Sequence, residues 1–254
     1  RPPRSTLFPY TTLFRSSFQG SMEITTNVLD AMKDVMTVLA PAFFLAMTLT
    51  SYISSAGIYY AFTLFLISGV RWLTSVFLLP CIEIYILLVL VNHLSGEKRL
   101  GHLAELMSML VGWSLKALLA LVCGFHMVQG LISPAADAFR TMSVSRGIEA
   151  IPGVGDAGSS ATELVLGSAM LIKNGIGAAA LVVLILLCMV PLIKLAVIML
   201  VYYVLAAILQ PVSDERITEC LLGMGNGVKL LLQAAFTVLA LFLLTIALTT
   251  AVTG

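Results

Sequence analysis

Long apolar stretches alternate with short polar ones along most of this chain. A helix of about 20 apolar residues crosses the ~30 Å hydrocarbon core of a bilayer. Stretches of at least that length are Val35–Ser55, Gly57–Leu94, Leu106–Ile132, Gly175–Leu209 and Val228–Val252. Backbone in lipid must satisfy its own hydrogen bonds, and no regular strand-length alternation predicts a barrel. The pattern therefore predicts an all-α, polytopic membrane bundle.

Two of these stretches have lengths that fit neither one span nor two. The 35 residues of Gly175–Leu209 would reach roughly 50 Å as a helix, and Gly57–Leu94 is longer still. Pro80 and Pro191 lie inside them and are predicted helix breaks. We expect five to seven crossings. Basic residues nearly balance between the connecting segments, so the positive-inside rule leaves the orientation open.

Composition excludes several classes of protein. Of the 254 residues, 59% are hydrophobic and only 11% are charged, and the mean hydropathy is +1.04. Soluble domains carry about 25% charged residues, so a soluble globule and a disordered chain are both excluded. A net charge of +1 gives no electrostatic footprint for nucleic acid.

Residues 1–16, RPPRSTLFPYTTLFRS, differ in character from the rest of the chain. They hold three arginines and two consecutive prolines, without the apolar core of a secretory signal. The segment resembles the translation of a sequencing-library adapter. We therefore expect 1–16 to be non-native and 17–254 to be a single, N-terminally truncated membrane domain.

Charged residues inside apolar stretches are the candidate functional positions. Glu83, Lys116 and Lys194 lie deepest, and Arg71 is expected near an interface. Such charges are costly in lipid and usually find partners. Glu83 and Lys116 could form a pair, which leaves Lys194 to meet an acid from the long polar segment or from another subunit. Structural pairing, a polar path, subunit contact and, for Lys116, snorkelling to the headgroups all stay open.

Two regions of the chain share an arrangement of a proline, a charged loop and a lysine-bearing helix. Pro80, Glu83 and Lys116 mark the first region, and Pro191 and Lys194 belong to the second. Corresponding broken helices in two halves are a feature of transporters. The pattern permits an internal repeat.

The polar segment 133–174 is predicted to be a glycine-rich loop. Its residues Pro152, Gly153, Gly155 and Asp156 include a G-x-G-x-x-G spacing, but no strand–helix unit surrounds it, so nucleotide binding is rejected. A turn feeding a short helix over 161–173, capped by Ser159 or Ser160, is the better interpretation.

Neither catalytic nor cofactor chemistry is indicated. The sequence has no nucleophile–base set, no paired carboxylates and no metal-ligand spacing among its four cysteines and three histidines. His126 is expected to be a packed histidine. Gly223 and Gly227 form a small-xxx-small pair, which is compatible with close helix packing. We expect no enzyme activity and no cofactor.

Four runs in the C-terminal part resemble the stage III sporulation protein AE family. They are Ile151-Pro-Gly-Val-Gly-Asp156, Gly167-Ser-Ala-Met-Leu-Ile-Lys-Asn-Gly175, Cys188-Met-Val-Pro-Leu-Ile-Lys194 and Leu209-Gln-Pro-Val-Ser-Asp-Glu-Arg216. The resemblance covers roughly residues 25–254, and Trp113-Ser-Leu-Lys116 fits it as well.

The resemblance implies a non-enzymatic membrane subunit of a secretion-like channel in a spore-forming bacterium. Such a channel connects the mother cell with the engulfed forespore and supports late forespore development. The implied location is the mother-cell membrane around the forespore. Implied partners are the other sporulation membrane proteins of the complex and the forespore-side channel protein. The alternative hypothesis is a self-sufficient secondary transporter with a polar site between broken helices.

Overall fold

The computed structural model describes residues 8–50, 53–95, 100–148, 155–211 and 215–252, and side chains in 16–48, 56–92, 100–128, 167–211 and 215–250. These residues are almost entirely helical, which confirms the predicted all-α class. The helices are α1 (Phe8–Thr50), α2 (Ile53–Trp72), α3 (Leu79–Ser95), α4 (Gly101–Ile148), α5 (Gly155–Leu209) and α6 (Glu215–Val252).

The helices extend further than the apolar pattern predicts. Most of segment 133–174 was expected to be loop, yet 133–148 continues α4 and 155–174 begins α5. The short helix at 161–173 is thus the start of a 55-residue helix, in which Ser159 and Ser160 are internal rather than caps. The loop prediction was wrong for these residues because glycine and serine cost a helix only about 1 kcal/mol or less each. Residues 149–154 lie outside the described chain.

Neither predicted helix break ends a helix. Pro191 lies inside α5, which continues to Leu209. Pro80 is the second residue of α3 and lies inside the continuous helical run 53–95, where it has no N–H to give to the hydrogen-bond ladder. A π-helical turn, Leu73–Leu78, joins α2 directly to α3, and its closing bond runs from the Leu79 N–H to the Thr74 carbonyl.

Four helical stretches of the described residues are long and apolar enough to cross a membrane: Ala56–Asn92, Gly101–Val128, Gly167–Leu209 and Glu215–Thr250. The stretch Gly167–Leu209 contains 43 residues, or ~65 Å of helix, about twice the hydrocarbon thickness. The expected five to seven crossings stay a prediction.

The chain divides into two compact units. The first comprises the described residues of Arg1–Lys33, Gly69–Leu118 and Ile185–Ala240. Its apolar core takes residues from five helices, α1 and α3 to α6, with α6 contributing the most. Buried positions on α6 recur every three or four residues, the spacing of a single helix face. Examples are Leu221, Met224, Val228 and Leu231.

Glycines on α6 allow α3 to approach closely. A Cβ atom on Gly223 would collide with the Val89 side chain, and one on Gly227 would collide with Ile86. Gly225 lies against Tyr202 and Tyr203 of α5, at 3.3 Å from a Cβ position. The small-xxx-small pair therefore does mark a close helix contact, as predicted.

The second unit comprises the described residues of Asp34–Ser68, Leu119–Leu184 and Leu241–Gly254. The Phe62 and Phe125 rings stack at 3.8 Å, and the His126 ring meets Phe62 edge-on at 5.2 Å. The Thr245 hydroxyl donates to the Leu241 carbonyl, so its oxygen accepts from His126 Nε2–H at 3.3 Å. His126 is buried and packed, as the sequence predicted.

Candidate functional site

The four charged residues singled out from the sequence all belong to the first unit. Arg71, Glu83, Lys116 and Lys194 are all exposed on the surface of their helices. None of them forms an ion pair with another described side chain. The predicted Glu83–Lys116 pair is therefore not made within the chain, because the two side chains point away from the core that α3 and α4 share.

Lys194 lines a groove between α1 and α5. The groove has a volume of about 260 Å³, and Pro191 and Asn27 line it together with apolar side chains. Lys33 of α1 does not line the groove: it is buried, and its Nζ lies 2.6 Å from Asp30 Oδ1. The groove thus offers one cation and one amide on otherwise apolar walls.

A larger and more polar cavity opens between α3, α4 and α6. It has a volume of about 480 Å³, and each helix lines it with one face. The lining residues recur at helical spacing: Tyr85, Val89 and Asn92 on α3; Gly101, Ala104, Glu105 and Ser108 on α4; Asn226, Lys229, Leu230 and Gln233 on α6. Residues three, four and seven apart share a helix face, so three polar stripes converge on one space.

Hydrogen bonds hold two amides of this cavity in place. Asn92 Oδ1 accepts from the Leu100 N–H at 3.1 Å, which ties the end of α3 to the start of α4. Asn226 Oδ1 accepts from the Tyr203 hydroxyl at 2.8 Å. Each amide oxygen is therefore engaged, and each NH2 group still has donor capacity.

The two charged residues of the cavity are Glu105 and Lys229. Glu105 Oε2 lies 3.9 Å from His102 Nδ1, which is too far for a hydrogen bond. No ion pair joins Lys229 to Glu105 or to another described side chain. A carboxylate and an ammonium group thus line one cavity without neutralising each other.

The depth of a charge in an apolar run does not reveal this cavity, because Glu105 lies close to the start of its helix. A usable signal was present on α6, where Asn226, Lys229 and Gln233 fall three and seven residues apart. The matching stripes on α3 and α4 become meaningful only when the three helices are placed together.

Among the described residues, neither a metal centre nor the predicted glycine-rich loop contributes to this site. Across the described residues, no group of three or more His, Cys, Asp or Glu side chains could hold a metal ion. Pro152 and Gly153 lie outside the described residues. Gly155 and Asp156 begin α5, and their side chains are not among those described.

Comparison with known proteins identifies the family. The family model for stage III sporulation protein AE matches residues 6–253. Stage III sporulation protein AE of Bacillus subtilis (strain 168) is 24% identical over 233 residues, which are 91% of this chain and 58% of that protein. The chain thus spans somewhat over half the length of the curated relative. No solved structure matches it. With a match over nearly its whole length, the chain belongs to the stage III sporulation protein AE family.

Proposed function

We propose that this protein is a non-enzymatic membrane subunit of the channel between mother cell and forespore and is needed for late forespore development. The family match over residues 6–253 carries this proposal. Four helical stretches suited to a bilayer support a membrane location, which we place in the mother-cell membrane around the forespore. Its partners are the other sporulation membrane proteins of the complex and the forespore-side channel protein.

Exposed charges on apolar helices support the subunit role. Glu83, Lys116 and Lys194 lack described partners within the chain, and a charge near the bilayer centre costs at least ~2.5–3.5 kcal/mol. Contact with polar groups of neighbouring subunits would remove that cost. Arg71 lies beside the exposed Trp72, a combination typical of the membrane interface.

A complementation assay tests the proposal. In Bacillus subtilis, the aligned part of its stage III sporulation protein AE would be replaced by this chain, and heat-resistant spores would be counted. We expect the chimera to restore sporulation to a strain that lacks its own copy. Absence of rescue, at normal chimera levels in the membrane, would count against the subunit role.

The polar cavity favours a second candidate, a self-sufficient secondary transporter. Transporter sites are built from polar groups between helices, and Glu105 and Lys229 line a space between helices here. A transporter would move a solute after reconstitution alone into liposomes, and Glu105→Gln or Lys229→Gln would abolish uptake through this cavity. Glu83→Gln or Lys194→Ala would abolish uptake if the path runs along those residues instead. A channel subunit alone would show no solute-specific uptake.

A further inference from the structure

The cavity between α3, α4 and α6 has the dimensions of a small-molecule site. Its volume of about 480 Å³ lies within the ~300–1,000 Å³ typical of ligand pockets. Polar groups enter it from all three helices, and two of its amides are fixed by hydrogen bonds to Leu100 and Tyr203. Fixed donors of this kind orient a ligand at little conformational cost.

The charges of the cavity define the chemistry of its ligand. Glu105 and Lys229 lie on facing helices and line the same space, yet they do not pair with each other. A ligand with a single charge would pair with one of these two side chains and leave the other unpaired. A ligand that carries both an ammonium and an anionic group would satisfy both through charge-assisted hydrogen bonds.

We propose that this cavity binds a small zwitterion, with its primary ammonium group at Glu105 and its carboxylate or phosphate at Lys229. The amide NH2 groups of Asn92 and Asn226, the Ser108 hydroxyl and the Gln233 side chain supply further polar contacts. The inference deepens the proposed function by naming a ligand class, and it rests on that function only for the ligand's role in sporulation.

Two sources share this chemistry. One is a soluble amino acid. The other is the headgroup of an ethanolamine phospholipid, since Asn92 and Gly101 lie near the ends of α3 and α4, where a headgroup would reach the cavity. Choline phospholipids are also zwitterions, but their quaternary ammonium group has no N–H that could donate a hydrogen bond to a carboxylate such as Glu105.

The test measures the melting temperature of the purified chain with each kind of ligand. One arm adds a mixture of the common L-amino acids to the protein in detergent. Mass spectrometry identifies the amino acids that the protein retains, and each of these is then titrated. The other compares nanodiscs of phosphatidylethanolamine with nanodiscs of phosphatidylcholine. We expect one arm to show saturable stabilisation. Stabilisation in neither arm would overturn the proposal.

Variants assign the binding to the cavity. Glu105→Gln and Lys229→Gln each remove one charge-assisted contact, so each should weaken binding about ten- to hundredfold. The matched controls Glu215→Gln and Arg216→Gln remove the same charges from the exposed start of α6, outside the cavity, and should bind like the unchanged chain. Equal binding by the cavity variants, or equal loss in the controls, would overturn the assignment.

A charge exchange separates lost binding from lost folding. The double variant Glu105→Lys, Lys229→Glu keeps both charges in the cavity, so a reversed zwitterion still finds both partners. We expect it to recover at least part of the binding that either single variant loses. Because binding is measured on purified protein and the proposed function by spore counts, failure of one assay leaves the other intact.

Discussion

At the residue scale, small side chains decide how closely the helices of the first unit pack. Gly223 and Gly227 face Val89 and Ile86 without room for a methyl group. In a bilayer, lipid is as apolar as the helices, so association depends on close van der Waals contact rather than on expelling water. The glycines therefore stabilise the α3–α6 contact, even though glycine weakens an isolated helix.

Replacing Gly227 by alanine tests this contact. The new methyl group would displace Ile86 and open the α3–α6 packing, so Gly227→Ala should lower the free energy of unfolding by about 1–3 kcal/mol. Gly112 is the matched control because nothing lies within 4 Å of its Cβ position. Gly112→Ala should be neutral or stabilise by up to about 1 kcal/mol through helix propensity. Thermal unfolding in detergent measures both, and an equal response of the two variants would contradict the packing argument.

At the scale of elements, the π-helical turn at Leu73–Leu78 sets which face of α3 is buried in the core of the first unit. A π-helical turn holds one residue more than an α-helical turn, so the α3 face that follows is turned by about 100° relative to an uninterrupted helix. That rotation directs Ile82 and Ile86 into the core. The buried Thr74 hydroxyl reinforces the turn by donating to the Val70 and Arg71 carbonyls, at 2.7 and 3.1 Å.

Single-residue deletions distinguish the π-helical turn from ordinary helix. Removing the exposed Ser75 should convert the turn to α-helix while α3 keeps its buried face, so stability should fall by no more than about 1 kcal/mol. Removing the exposed Ile84 from α3 should instead turn Ile86 and Val89 out of the core, with a loss of several kcal/mol from large buried side chains. Comparable melting temperatures for the two deletions would show that the turn does not set the register.

The sequence alone predicted well which apolar segments are helical, but it predicted poorly where the helices begin and end. Apolar runs such as Gly175–Leu209 correctly marked helix α5, because hydrophobic period and length are physical requirements of a span. The segment before that run was misjudged because its glycines and serines weaken a helix without ending it. The π-helical turn itself was not predicted, although Pro80, which marks an irregularity in the helix, lies two residues after it. The zwitterion cavity was missed because its charges, Glu105 and Lys229, come from helices far apart in the sequence.

At the scale of the whole molecule, each exposed charge on an apolar helix needs either water or a partner in a membrane. Lys194 is the clearest case, since it lines an apolar groove with Pro191 and Asn27 and has no described acidic partner. Near the middle of a bilayer it would either extend to the headgroups or meet a carboxylate from another subunit. A neutral substitution of Lys194 has a different expected effect in each of these two cases.

Lys194→Gln in the Bacillus subtilis chimera separates the two outcomes. If a partner carboxylate meets Lys194, the neutral variant loses a charge-assisted contact of about 1.5–3 kcal/mol, so complex assembly and heat-resistant spores should fall about tenfold or more. Lys194→Arg keeps the positive charge and should retain most of the spores. Arg216→Gln is the matched control, because it removes a cation from the exposed start of α6. Full sporulation with Lys194→Gln, at normal chimera levels in the membrane, would mean that Lys194 extends to the headgroups and that the groove needs no acidic partner.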